Sequence, residues 1–121
     1  VILRYAYNDA NGLMAAFNLH LLERVNSELG ADFDLDLFCH YAFYNPPESR
    51  MEMHLVSLAN QRVTIGHDEF HFRVGESILT ESCYKFSLEG FEQMASVAGF
   101  KLQKVWMDTD RLCSVQYLTV V

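Results

Sequence analysis

Between Asp9 and Gly30 the side chains Leu13, Met14, Phe17, Leu21, Val25 and Leu29 recur every three or four residues. That is the spacing that places side chains on one face of an α-helix. Asp9 can cap the start of such a helix, and Gly30 can take the left-handed conformation that ends one. The pattern therefore predicts a helix over 10–29. After the acidic segment Asp32 to Asp36 the period changes to that of strands. CHYAFY, RMEMHLVSLA, RVTI and EFHFRV are short runs separated by Asn, Gly, Asp or the Pro46-Pro47 turn, and they predict an antiparallel meander. Beyond Gly75 come a strand, ESILTESCYKF, and a helix within LEGFEQMASVAGF. Phe91, Met94 and Val97/Ala98 form the apolar stripe of that helix, which stops at Gly99. Two closing strands, LQKVWMD and RLCSVQYLTVV, flank the turn Asp108 to Asp110. Helices and antiparallel strands in this order predict an α+β fold.

Composition narrows the classes of partner. With 121 residues, half of them apolar, the chain has enough side chain to bury a core. Nine basic against sixteen acidic residues give a net charge of −7 with no basic run, which disfavours nucleic acid. Cys39, Cys83 and Cys113 are odd in number and lack metal-ligand spacing, a pattern of thiols in a reducing, cytoplasmic compartment. No apolar run approaches the roughly 20 residues of a membrane span. The chain opens on Val1 with neither Met nor a signal-peptide pattern, so it is expected to be a piece of something longer or a processed product.

The helix ending in AGF, a strand, an acidic turn and a last apolar strand resemble the closing elements of class I S-adenosylmethionine-dependent methyltransferases. The glycine-rich turn that binds the methyl donor is missing: Gly12, Gly30, Gly66, Gly75, Gly90 and Gly99 stand singly. Three longer stretches sharpen the resemblance. YNDANGLMAAFNLHLLERVNSELGADFDLDLF, AFYNPPESRMEMHL and FRVGESILTESCYKFS are similar, in order and across almost the whole chain, to the histidine-specific Nα-methyltransferases that make the trimethylated betaine on the route to ergothioneine.

The resemblance implies two regions. Residues 1–75 would be a substrate-binding insertion of helix and antiparallel strands. Residues 76–121 would be the C-terminal helix and two closing strands of the methyltransferase core, with the cofactor-binding region absent. It implies S-adenosylmethionine as co-substrate of the parent enzyme, histidine as small-molecule substrate, and no metal. The isolated piece is expected to bind no donor and to be inactive. The resemblance implies direct methyl transfer governed by orientation, with no covalent intermediate and no catalytic residue in this chain.

Strand period places Glu81, Cys83 and Lys85 on one face and Ser82, Tyr84 and Phe86 on the other. Alone, that polar face reads as a solvated strand. The resemblance implies instead that Glu81 accepts a hydrogen bond from the substrate imidazole, beside Cys83 where the family usually has serine. It also implies that Tyr7 helps hold the substrate carboxylate and that Met14 and Met53 line the pocket, although an aromatic or a methionine at such positions can equally be core. Asn8 and Asp9 read as helix caps, and Arg50 with Glu52 as an exposed pair. His67 and His71 lie in a hairpin pattern rather than on a helix face, which argues against a metal site. Two alternatives to a histidine enzyme are a methyltransferase for another amino acid or amine, and a non-catalytic ligand-binding module.

The closing strands carry a prediction of their own. An apolar hairpin with an open edge seeks a partner, so the isolated chain is expected either to self-associate through residues 101–121 or to fold that hairpin over its own strands, covering Trp106 and Tyr117. Light scattering tests the first branch, and Val115→Lys should dissociate the assembly. A monomer with both aromatics fully solvated would exclude both branches.

Overall fold

The computed structural model describes residues 1–121 as two compact units, Val1–Tyr84 and Lys85–Val121. The first contains helices α1 (Ile2–Tyr7) and α2 (Leu13–Leu29) and a single 3-10 turn at Leu35–Leu37. Its strands are β1 (Phe38–Asn45), β2 (Arg50–Ser57), β3 (Gln61–Ile65), β4 (Asp68–Phe72) and β5 (Ser77–Tyr84). The second contains α3 (Leu88–Val97), β6 (Phe100–Met107) and β7 (Ser114–Val120). The mixed helix and antiparallel strand content is that of an α+β chain.

Helix α2 begins three residues later than its apolar pattern suggested. Gly12 adopts a left-handed turn (φ 70°), and Asp9, standing before that turn, still caps the helix. Its two carboxylate oxygens accept from the N–H groups of Leu13 (3.0 Å) and Met14 (2.9 Å). Those bonds, the one from Met14 first, hold the Asp9 carboxyl below the ordinary carboxylate range. Gly30 ends the helix in the left-handed region, as expected. Only part of the stripe that announced the helix packs: Met14 and Val25 are half-buried. Leu13 and Phe17 are 69% and 64% exposed, while Asn18 and Leu22 are buried.

The expected meander is only partly present. β1, β2 and β5 form one antiparallel sheet in the order β1-β2-β5, and β3 and β4 make a separate hairpin between β2 and β5 in sequence. Hydrogen bonds at the end of β2 close the base of this excursion. The Gly75 N–H donates to the Ser57 carbonyl and the Ser57 N–H to the Glu76 carbonyl, both at 2.8 Å. The chain is thereby returned to the free edge of β2. A division after Gly75 would leave β5 with the second unit, but its pairing with β2 places it in the first.

Two apolar clusters form the core of the first unit. Leu22, Phe38 and Leu55 are buried with Leu19, Phe33, Phe72 and Ile78 packed around them. Phe38 meets Phe33 and Phe72 edge-on, with centroids 5.7 and 5.5 Å apart, so the β3–β4 hairpin is fixed to this core through Phe72. The other cluster is Ala42, Met51 and Met53, with Tyr7 and Met14 packed against it.

In the second unit Ser87 caps α3 by accepting from the Gly90 N–H at 3.0 Å. Ala95 is its buried residue, whereas Val97, expected on the packed stripe, is exposed. Trp106 and Val115 lie opposite each other in the β6–β7 pair, and both they and Tyr117 are exposed.

Candidate functional site

Directly opposite residues in an antiparallel pair project to the same side of the sheet. The register is Ala42↔Met53 and Tyr44↔Met51 between β1 and β2, and Met53↔Glu81 and Met51↔Cys83 between β2 and β5. Met51 and Met53 belong to the cluster on which Tyr7 and Met14 pack. The structure therefore brings Tyr7, Met14, Met53, Glu81 and Cys83, spread over 77 positions of sequence, to one side of a single sheet. Lys85 lies beyond the last residue of β5 and is not part of this strand face.

A β-bulge makes this arrangement possible. Between Met53 and His54 the register shifts, pairing Met53 with Glu81 but His54 with Leu79, so Thr80 is an extra residue on β5. Strict alternation from Ile78 would turn Glu81 and Cys83 away from the helices. The bulge reverses the phase, and Ile78, Thr80, Glu81 and Cys83 are all half-buried while Ser77, Leu79, Ser82 and Tyr84 are exposed. The Glu81 carboxylate has no hydrogen-bond partner within the chain, and it borders a cavity of about 210 Å³ lined also by Phe17, Asn18, Arg24, Met53 and Thr80.

The polar residues that hold this wall were not evident from hydrophobic pattern. Asn18 is 3% exposed in the middle of α2. Its amide is within 2.9 Å of His40 Nδ1 and donates to the His54 carbonyl at 3.1 Å, while its oxygen accepts from the Thr80 hydroxyl at 2.7 Å. Asn8, expected as a helix cap, does cap the C-terminal end of α1, its side-chain amide donating to the Arg4 carbonyl (2.9 Å), and it also links α1 to β1 by donating to the Ala42 carbonyl (3.0 Å) and accepting from the Ala42 N–H (3.3 Å).

The opposite side of the sheet corrects another expectation. Glu52 is not an exposed partner of Arg50 but is 5% exposed. It accepts from Asn45 Nδ2 (2.8 Å) and Arg50 Nε (2.9 Å), and its other oxygen lies 2.9 Å from His54 Nε2. These bonds, the Asn45 amide first, lower its pKa to about 2. Arg50 Nη1 also donates to the Tyr84 hydroxyl at 2.7 Å, tying the start of β2 to the end of β5. Away from this sheet, His67 lies in the β3–β4 turn, and His71 on β4 lies 2.9 Å from the Glu69 carboxylate.

A half-buried carboxylate beside buried methionines, all on one face of a helix-covered sheet, makes this wall the candidate small-molecule site. Comparison with known proteins specifies the class. The SAM-dependent, histidine-specific methyltransferase family matches residues 1–120, and the chain belongs to that family. Over 105 residues it is 43% identical to the histidine N-alpha-methyltransferase of Mycolicibacterium smegmatis, and 39% identical to the protein so named in Mycobacterium tuberculosis. Each match covers 85% of this chain and 33% of the relative. It is 30% identical over 111 residues to N-methyltransferase benX of Aspergillus terreus, covering 89% of this chain and 30% of that protein. The chain spans about a third of the length of these relatives.

The glycine-rich strand-to-helix turn expected of a methyl-donor site is not among this chain's connections. No glycine lies between a strand and the helix that follows it: the only such connection, between β5 and α3, reads Lys85-Phe86-Ser87. No helix is long and apolar enough to cross a membrane.

Proposed function

We propose that this chain is the substrate-holding part of a histidine Nα-methyltransferase, with Tyr7, Met14, Met53, Glu81 and Cys83 forming its share of the amino-acid pocket. The bulge at Thr80 carries the reading, because it turns Glu81 and Cys83 toward the side on which Tyr7, Met14 and Met53 meet. Glu81 accepts the imidazole N–H, Tyr7 helps hold the carboxylate at the other end of the substrate, and the two methionines give the ring an apolar, polarisable bed. The methyl group comes from S-adenosylmethionine as co-substrate, and this chain's residues orient the acceptor nitrogen. The first unit acts as the substrate-binding part, and the second supplies closing elements of a class I methyltransferase core. None of the three cysteines forms a disulfide, in keeping with a cytoplasmic enzyme.

The test is to incubate the full-length protein with S-adenosylmethionine and single amino acids, and to identify the methylated products by mass spectrometry. Trimethylhistidine as the main product is the expected result, and preferential methylation of a non-imidazole amine would overturn the reading. That second outcome has some support in Cys83, a weaker donor and bulkier than the hydroxyl usual in the family, and in the relative from Aspergillus terreus, known by name only as an N-methyltransferase.

Cys83→Ser separates the two readings further. A hydroxyl is the better partner for an imidazole, so the substitution should leave kcat for histidine near wild type and lower KM about two- to tenfold, the worth of one modest hydrogen bond. A large loss of histidine turnover would show that the thiol is adapted to a different ligand.

A further inference from the structure

We propose that Asn18 and Thr80 are positioning residues that set the phase of β5 and so determine whether Glu81 faces the substrate. The inference rests on the reading of Glu81 as the imidazole acceptor. It goes beyond that reading by assigning a role to two residues joined by a direct hydrogen bond across the helix–sheet boundary.

Asn18 lies between the core positions Met14 and Leu22 on α2, where an apolar residue would be the simpler choice for packing. Asparagine is also a modest helix former. Its hydrogen bonds explain its presence. The His54 carbonyl can only accept, so it fixes the amide with Nδ2 toward β1 and β2 and Oδ1 toward Thr80. Nδ2 can only donate, so Nδ1 of His40, at 2.9 Å, must be the unprotonated acceptor. The His40 proton is then on Nε2, which donates to the Tyr7 carbonyl at 2.8 Å. A continuous chain of hydrogen bonds thus runs from Thr80 through Asn18 and His40 to Tyr7. Its ends are the residue preceding Glu81 and the backbone of Tyr7, the groups proposed to meet opposite ends of the substrate.

The energetic need for such a pin arises from the bulge. A strand with an extra residue can move that residue by one position, and a shift of one turns every following side chain to the other face. Were the bulge to pass to the other side of Glu81, that carboxylate would point to the exposed face with Leu79. The Thr80 hydroxyl, 2.7 Å from Asn18 Oδ1 and 3.0 Å from the Met53 carbonyl, marks Thr80 as the bulged residue.

Thr80→Val in the full-length enzyme keeps the side-chain shape and removes the hydroxyl. We expect KM for histidine to rise roughly tenfold or more, with kcat changed by less than about threefold, because the loss falls on imidazole placement rather than on methyl transfer. Thr80→Ser should bring KM back to within about threefold of wild type. Glu81→Gln is the control for the site itself. If Glu81→Gln raises KM and Thr80→Val does not, or if serine fails to rescue valine, the positioning role is overturned while the histidine site stands. If Glu81→Gln leaves KM unchanged, the reading of the site fails first. Nitrogen-15 NMR of the wild-type imidazoles gives a readout that needs no folded variant: His40 should show a bare Nδ1 and a protonated Nε2 at neutral pH. A protonated Nδ1 would break the chain of donors and overturn the proposal.

Discussion

Replacing Glu81 by alanine in the full-length enzyme is expected to lower kcat/KM for histidine by about 30- to 1000-fold, a loss of roughly 2 to 4 kcal/mol in transition-state stabilisation. The carboxylate is half-buried opposite Met53, on the side of the sheet covered by the helices, and has no partner of its own chain. A histidine bound there would lose a charge-assisted acceptor and leave its ring N–H facing the half-buried wall around Met53. Leaving a buried donor unpaired is the most damaging way to lose a hydrogen bond, which sets the upper part of the range. Steady-state kinetics with histidine decide the matter. Unchanged kcat/KM would mean that the imidazole lies elsewhere.

Much of the architecture was legible because local chemistry and tertiary structure agree. The α2 helix has its apolar period, its Asp9 cap and its Gly30 stop, and seven strands fall on the runs that alternation marks. What the pattern could not supply was which side of α2 packs. Two apolar stripes lie next to each other on that helix. The one containing the buried Asn18 carries a polar residue at its centre, so hydrophobicity pointed to the neighbouring stripe of Leu13 and Phe17. The six-residue α1 escaped notice because it is too short to show a period, has no side-chain cap at its N-terminus and buries none of its residues.

The candidate site was legible in a different way. Tyr7, Met14, Met53, Glu81 and Cys83 were singled out by resemblance to a family, since no local rule marks a methionine or a strand glutamate as a ligand contact. The bulge that brings Glu81 and Cys83 round to the other three was invisible, because a bulge is a relation between two strands. β5 has no glycine to betray it. Glu52 was misread for a related reason. Alternation in RMEMHL places it on the side away from the helices, which is correct, but its cover comes from Asn45, Arg50 and His54, and those contacts depend on the β1–β2 register.

Glu52 gives the second large effect, on stability and its pH dependence. The folded protein holds its carboxyl at about 2, against an ordinary value of 4.5, chiefly through the Asn45 amide and then through His54 and Arg50. In acid the unfolded chain therefore takes up a proton at Glu52 near pH 4.5, whereas the folded protein does so only near pH 2. Between those values the unfolded state binds more protons, and stability falls as pH falls. The contribution is complete above about pH 4.5 and gone below about pH 2. Glu52→Gln preserves shape but replaces one acceptor oxygen by a donor that faces the donors of Asn45, Arg50 or His54. The variant should be markedly less stable than wild type at pH 7, and the gap should close as pH is lowered from 4.5 toward 2. Asp9 and Asp108, whose carboxyls are also held low by backbone N–H groups, add the same acid sensitivity to both proteins and cancel in the difference. Thermal unfolding of the two proteins across this range measures the gap directly. A gap that stays constant with pH would assign the damage to packing rather than to the buried charge, and no gap at pH 7 would mean that Arg50 and His54 find water as readily as they find Glu52.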